Sequence, residues 1–336
     1  MSGAERRYTV AVAGATGAVG SALLEVLAEQ SFPIAKLHLL GRDSDGQESA
    51  VFANRNHPIR PIDEFDFTSA DLALFCLPDS LAATHVPRAL AAGCAVVDLS
   101  RHSRLGTGVP LVVSGINSEQ LAAGTRLVAS PAAAVVQASA VLAPLARGAG
   151  LVSVVAHTTQ AVSCRGKAAV AELAGQTARL LNVQAISNGC LPAQIAFNLI
   201  TTFDAAHADD YTDEEREFGA ELRKVLGIGA LSVQASFAIA PVFYGHTQVL
   251  EIETAQPLNA AEARRLLAEQ AGVTLLEGTG VVSPVGDGAG SDEVLIGRVR
   301  QGEGNRLTVW SVADNIRKGA AVNTAEIAFA LLKAHP

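Results

Sequence analysis

Two sets of residues in this chain could carry chemistry on their own account. The first is a glycine-rich turn, Gly14-Ala15-Thr16-Gly17-Ala18-Val19-Gly20, between an apolar run and a helical pattern. Glycines let a backbone approach a pyrophosphate, and the start of a helix favours an anion. A tight turn without a ligand would use the same residues. In a dinucleotide site the ribose is read after the second strand, about 20 residues on. Arg42 and Asp43 stand there. Arg42 suits a 2′-phosphate and Asp43 a 2′-hydroxyl, so spacing leaves NADP and NAD both open. The second set is the thiols Cys76, Cys94, Cys164 and Cys190. Their scatter offers no zinc-binding spacing, and no metal is expected. It fits reduced thiols in the cytoplasm. Arg165 beside Cys164 could lower that thiol's pKa; an inert thiol is the plainer reading.

These residues need elements to hold them. Tyr8–Ala13, Lys36–Leu40, Asp71–Leu77 and Ala95–Leu99 read as strands, with helices at Ser21–Gln30 and Ser80–Ala92. Strands alternating with helices predict βαβ units and a parallel sheet, whose buried strands are continuously apolar. After Pro131 the character changes. Longer strands are expected at Leu151–Thr159, Ser232–Ile239, Thr247–Thr254, Glu293–Val299 and Leu307–Val312, several of them antiparallel. Helices are expected at Gly166–Leu181, Asp213–Leu226 and Asn259–Gln270, and a last one at Asn315–Lys333 could return to the first domain.

The chain has 336 residues, enough for two domains at about 150 residues each. Apolar residues make up 49% and charged residues 17%, which excludes disorder as the main state. The mean hydropathy of +0.29 suggests apolar surface buried between subunits. The net charge is −8, with no long basic run, so no nucleic-acid role is expected. Leu127 to Ala146 is uncharged and long enough to span a membrane. Pro131, Gln137, Ser139 and Pro144 interrupt it, which predicts a buried strand, turn and helix and no membrane segment. The polar start, Met1 to Arg7, does not read as a signal peptide.

Several segments then fall in one order: the Gly14–Gly20 turn, Asp98-Leu99-Ser100 through Arg104, Gln160-Ala161-Val162-Ser163, Gln194–Asn198, Gly245-His246 and Ala313–Ala321. Together they resemble the aspartate-semialdehyde dehydrogenase family, over nearly the whole chain. The resemblance implies an α/β protein: a Rossmann-type domain over residues 1–130 plus 313–336, and an α+β catalytic and dimerisation domain over residues 131–312. It implies a homodimer whose family reaction is the NADPH-dependent reduction of aspartyl phosphate to aspartate semialdehyde. A cysteine thiolate attacks the carbonyl, a histidine handles the proton and an arginine holds the substrate carboxylate. By the same resemblance His246 is the acid/base, Gln160 an active-site amide and Arg104 a phosphate-binding arginine. Glu221 and Lys224 match substrate-site residues, although their i,i+3 spacing also permits a plain surface ion pair. Gly14, Thr16, Gly17, Ala18, Val19, Arg42, Ser163 and Asn315 would contact the cofactor.

Two positions depart from the family pattern. The nucleophile position, in Ser130-Pro131-Ala132-Ala133, is Ala133. A methyl group cannot form a thioester, so the covalent route is closed. The substrate-arginine position is Ile239. Cofactor glycines are also replaced, by Pro78, Asp79 and Cys164, which predicts weakened binding of NADP, with NAD also allowed. The chain looks like the Usg-type homologues that lack the catalytic cysteine. The leading expectation is a non-catalytic paralogue able to bind a small anionic ligand. One alternative is an oxidoreductase with non-acylating NAD(P) chemistry that uses His246. The other is a structural partner subunit without a ligand.

Overall fold

The computed structural model describes residues 6–42, 49–201, 207–276 and 281–334. The chain forms two compact units, Met1–Ala132 with Ala320–Pro336, and Ala133–Gly319.

The first unit alternates strands and helices: β1 (Tyr8–Ala13), α1 (Ala18–Glu29), β2 (Ile34–Gly41), β3 (Ser49–Phe52), β4 (Arg55–Pro61), β5 (Leu72–Phe75), α2 (Asp79–Ala91), β6 (Ala95–Asp98), the single turn α3 (Arg101–Arg104) and β7 (Leu127–Ala129). They form one sheet in the order β3-β4-β2-β1-β5-β6-β7. All pairings are parallel except β3 with β4. Val10–Ala13 and Leu72–Phe75 are fully buried, which is why these strands read as unbroken apolar runs. Leu23, Leu24 and Leu27 bury one face of α1 in the same core. Strand order reverses at β1, between β2 and β5. In open α/β sheets ligands bind at the carboxyl ends of strands at such a reversal. The Gly14–Gly20 turn leaves β1 at that end.

The second unit contains α4 (Ala133–Ala149), β8 (Leu151–Ala161), α5 (Gly166–Leu181), α6 (Asp213–Leu226), β9 (Ser232–Ala240), β10 (His246–Thr254), α7 (Ala260–Ala268), β11 (Val273–Leu275), β12 (Val294–Gln301) and β13 (Arg306–Ala313). Their sheet runs β11-β12-β13-β10-β8-β9. It is mixed: β10 pairs antiparallel with β8 and β13, while β8 with β9 and β11 with β12 are parallel. Helix α4 is buried almost throughout and packs on β10. That burial accounts for the uncharged run from Leu127. Among the described residues no helix is long and apolar enough to cross a membrane.

The chain ends in α8 (Asn323–Ala334), whose Ile327 and Leu331 join the core of the first unit. The expected start at Asn315 is too early. Residues Arg317–Val322 form a wider turn, with the Gly319 amide donating to the Asp314 carbonyl at 2.9 Å. Residues 313–319 therefore stay with the second unit, where Ala313 pairs with His246.

Candidate functional site

In the first unit, the glycine turn is dictated partly by its own packing. Gly14 has φ +79°, and a Cβ there would lie 2.2 Å from the Cys76 carbonyl oxygen. A Cβ on Gly20 would lie 2.1 Å from the Gly14 carbonyl oxygen. Gly17 is the N-cap of α1, with no side-chain cap bond and no acidic residue in the first turn. The amide end of α1 therefore carries no counter-charge from its own turn, an arrangement that fits a phosphate. Thr16, Gly17, Ala18 and Val19 are all partly accessible there. Arg42 directly follows β2 and is exposed. Asp43 lies outside the described residues.

Pro78 caps α2 at the end of β5, and the exposed Asp79 carboxylate accepts the Arg101 amide at 2.8 Å. The buried Asp98 carboxylate accepts the Ser100 hydroxyl at 2.7 Å and the Ser103 hydroxyl at 2.5 Å. This fixes the turn that carries Arg104. The Arg104 guanidinium donates through Nε to the Ser130 carbonyl at 3.1 Å and through Nη2 to the Leu99 carbonyl at 2.7 Å. Arg104 thus sits on the segment leading to Ala133.

The second unit gathers most of the remaining candidates. Ala133 heads α4, and Gln248 Nε2 donates to the Ala134 carbonyl at 2.9 Å. His246 and Gln248 share the covered face of β10, because strand side chains alternate. His246 is 2% exposed, and neither ring nitrogen has a hydrogen-bond partner. Burial, aided by the Arg165 charge, lowers its pKa to about 3. The ring is neutral at physiological pH, with a donor and an acceptor that the protein leaves unanswered. Gly245, just before it, has φ +93° and donates its amide to Asn315 Oδ1 at 3.1 Å. Asn315 Nδ2 donates to Ser163 Oγ at 3.0 Å. Asn315 and Ser163 are both buried and lock each other in place.

Gln160, near the end of β8, is 3% exposed and pairs in register with Ile239 on β9. Its Nε2 donates to Glu214 Oε1 at 2.6 Å. Arg165 Nη2 donates to Glu214 Oε2 at 2.8 Å. Glu214 lies in the first turn of α6, whose start is fixed by a Thr212–Glu215 capping box. Ile239 is buried with Val162, Ile195 and Ile200. Gln160, Arg165, Glu214 and Ile239 line one narrow cleft. Glu221 is no surface residue: it is 1% exposed, and burial lowers the half-buried Lys224 against the pull of Glu221.

Three of the four thiols are held toward their protonated form. Desolvation, with the Asp98 charge added, pushes Cys76 up to about 12, and desolvation likewise pushes Cys94 to about 12. Desolvation and the Glu172 carboxylate raise Cys190. Cys164 donates its thiol to Gln160 Oε1 at 3.6 Å and holds that amide in place. Among the described residues no group of three His, Cys, Asp or Glu could hold a metal. Glu214 is absent from the site residues expected from the sequence. The capping box marks where α6 begins, but only the fold brings Glu214 to Gln160.

Known proteins resemble this arrangement over its whole length. The family described as "Semialdehyde dehydrogenase, NAD binding domain" matches residues 9–124. "Semialdehyde dehydrogenase, dimerisation domain" matches residues 142–318. "Aspartate-semialdehyde dehydrogenase 2" of Vibrio cholerae is 36% identical, over 98% of this chain and 98% of that protein. A "USG-1 protein homolog" of Pseudomonas aeruginosa is 37% identical, over 96% of this chain and 97% of that protein. A crystal structure of aspartate semialdehyde dehydrogenase II from Vibrio cholerae, complexed with ASA, superposes with a TM-score of 0.95 at 35% identity, covering 98% and 99% of the two chains. With a Rossmann-type unit, a dimerisation-domain match and relatives of this identity along its full length, the chain belongs to the aspartate-semialdehyde dehydrogenase family.

Proposed function

We propose that this protein is a non-catalytic member of its family that retains a nicotinamide-nucleotide site and a small-anion pocket. One observation carries the reading. Where the resemblance places the nucleophile, the head of α4 offers the methyl group of Ala133. The lost arginine supports it, because Ile239 is committed to an apolar cluster and cannot clamp a carboxylate. A nicotinamide nucleotide supplies or accepts hydride when bound, but Ala133 gives an acyl group nothing to attach to.

By the family resemblance, Gly14, Thr16, Gly17, Ala18, Val19 and Arg42 of the first unit are proposed cofactor contacts, Arg42 suiting a 2′-phosphate, and so are Ser163 and Asn315 of the second unit. That assignment favours NADP, with NAD second. Asp79 places a carboxylate at the start of α2, three residues after Cys76, which abuts Gly14, and like charge there weakens phosphate binding. By the same resemblance, Arg104 of the first unit and, separately, Glu221 and Lys224 of the second are proposed anion-binding residues. The dimerisation-domain match supports a homodimer, and the four free thiols fit a cytoplasmic location.

A dehydrogenase of altered chemistry would need His246 to transfer a proton. General acids and bases work best with a pKa near the operating pH. A ring lowered to about 3 serves instead as a neutral hydrogen-bonding group. Calorimetric titration with NADPH and separately NADH tests the nucleotide site. Saturable binding, tighter for NADPH, is expected; no binding to either would remove the nucleotide from the proposal.

A further inference from the structure

A second buried histidine, in the first unit, is held by a cation. His85 lies on α2 and is fully buried. Arg88, one turn on, brings Nη1 to 2.9 Å from His85 Nδ1. A guanidinium only donates, so Nδ1 accepts and the ring proton sits on Nε2. That Nε2 has no hydrogen-bond partner, and Asp63 Oδ1 stands 3.4 Å from it. The same guanidinium ties α2 to the segment after β4. Its Nη2 donates to the Asp63 carbonyl at 3.0 Å and to the Phe65 carbonyl at 3.3 Å, and it lies over the Phe67 ring. At the start of that segment the Ile62 amide donates to the Gly41 carbonyl at 3.0 Å. Gly41 ends β2, directly before Arg42.

From this chain of bonds we infer that His85 and Arg88 form an acid-released latch on residues 62–67 and, through Ile62, on the β2 edge of the nucleotide site. A protonated His85 presents an N–H where Arg88 needs a lone pair, and sets like charge against the guanidinium. Arg88 then leaves Nδ1, and its two carbonyl bonds loosen with it. The Nε2 proton is drawn to Asp63 instead, so the segment exchanges one set of contacts for another. Burial lowers the His85 pKa from 6.5, with the Arg88 charge adding to the effect and Asp63 opposing it. The latched form refuses a proton that the released form accepts, so release grows as pH falls below 6.5. Arg88 and Asp63 are the charged groups at the ring. Asp66 is engaged by Thr68, Cys94 is kept neutral with its pKa pushed up to about 12, and Phe65, Phe67 and Phe75 carry no charge. His38, stacked on Phe65 with ring centroids 5.0 Å apart, titrates in the wild type and in His85 variants alike. The consequence for the nucleotide rests on the reading of the glycine turn and Arg42 as its site; the latch itself does not.

The test is hydrogen exchange of the Phe65, Ser69 and Ala70 amides, which bond to Ile62, Asp66 and Phe67, in wild type and H85Q at pH 7 and pH 5, corrected for intrinsic rates. Glutamine can accept from Arg88 but does not titrate. Between the two pH values wild type should lose about tenfold more protection than H85Q, since one pKa unit is a factor of ten. Equal losses overturn the inference. NADP⁺ affinity, titrated in the same samples, should fall about threefold more in wild type than in H85Q. An affinity that moves equally in both, beside a latch visible in exchange, overturns the link to the nucleotide edge. No NADP⁺ binding at either pH removes the nucleotide reading and leaves the latch standing. Should H85Q fail to fold, as judged by circular dichroism, R88A takes its place. Low protection of the three amides in R88A, already present at pH 7 and indifferent to pH, supports the latch, and wild-type protection there overturns it.

Discussion

The methyl group of Ala133 faces Gly319 so closely that a Cβ built on Gly319 would stand 2.5 Å from the Ala133 Cβ. The head of α4 is thereby walled by the turn that follows Asn315. Any side chain at position 319 must push on the α4 backbone, because the Ala133 Cα would lie at 3.0 Å. Gly319→Ala should destabilise the protein by about 1–3 kcal/mol, the range for overpacking a tight contact. The urea midpoint checks this.

Gly14 is constrained twice, by φ +79° and by the Cys76 carbonyl. Gly14→Ala should lower stability by about 2–4 kcal/mol, combining backbone strain with a clash that no side-chain motion relieves. NADPH affinity should fall along with it, which titration of the folded fraction would reveal. A variant with wild-type affinity would mean that the nucleotide does not use this turn.

Ile239 lies in an apolar cluster with Ile195 and Ile200. Ile239→Arg alone should cost about 2–4 kcal/mol, since a buried guanidinium lacks a prepared partner there. Combined with Ala133→Cys, it should give measurable phosphate-dependent oxidation of aspartate semialdehyde. Complete inertness of a folded double variant that still binds nucleotide would place the lesion at Pro78, Asp79, Cys164 or Ala132 instead.

His246 makes stability depend on pH. Its pKa is lowered to about 3 in the folded protein, so between that value and the ordinary value of 6.5 the unfolded chain binds a proton the folded one refuses. Stability must then fall as pH falls below 6.5. Because neither ring nitrogen has a partner, His246→Phe removes no hydrogen bond. Between pH 6.5 and 4.5, wild type should lose about 2 kcal/mol more than His246→Phe. Parallel losses in urea titrations at the two pH values would contradict the burial of a neutral ring.

The parts of the fold legible in the sequence are those with strong local signals. Buried parallel strands announce themselves as apolar runs, and Thr212 with Glu215 marks the start of α6 within a residue. The β3–β4 hairpin has no such signal. Its turn holds Ala53 at φ +47° and Asn54 at φ +62°, and alanine does not advertise a left-handed conformation. The start of α8 is equally hidden, because Arg317, Lys318, Ala320 and Ala321 in the wide turn before it are good helix formers. Among the candidate residues, Gln160, His246 and Asn315 lie in motifs shared with the family. The bond from Glu214 to Gln160 joins residues 54 apart in sequence, and no periodicity reports that.

This chain is proposed to keep its family's scaffold without its family's reaction. The most direct test of this is the rate of NADP-dependent oxidation of aspartate semialdehyde in phosphate, with a cysteine-bearing relative assayed in parallel. Loss of a covalent nucleophile costs on the order of 10⁶ in kcat in the subtilisin case. A rate lower than the relative's by at least about 10⁴ is the expected result. A rate within about tenfold of it would contradict the account, and would mean that a group other than residue 133 carries the acyl transfer.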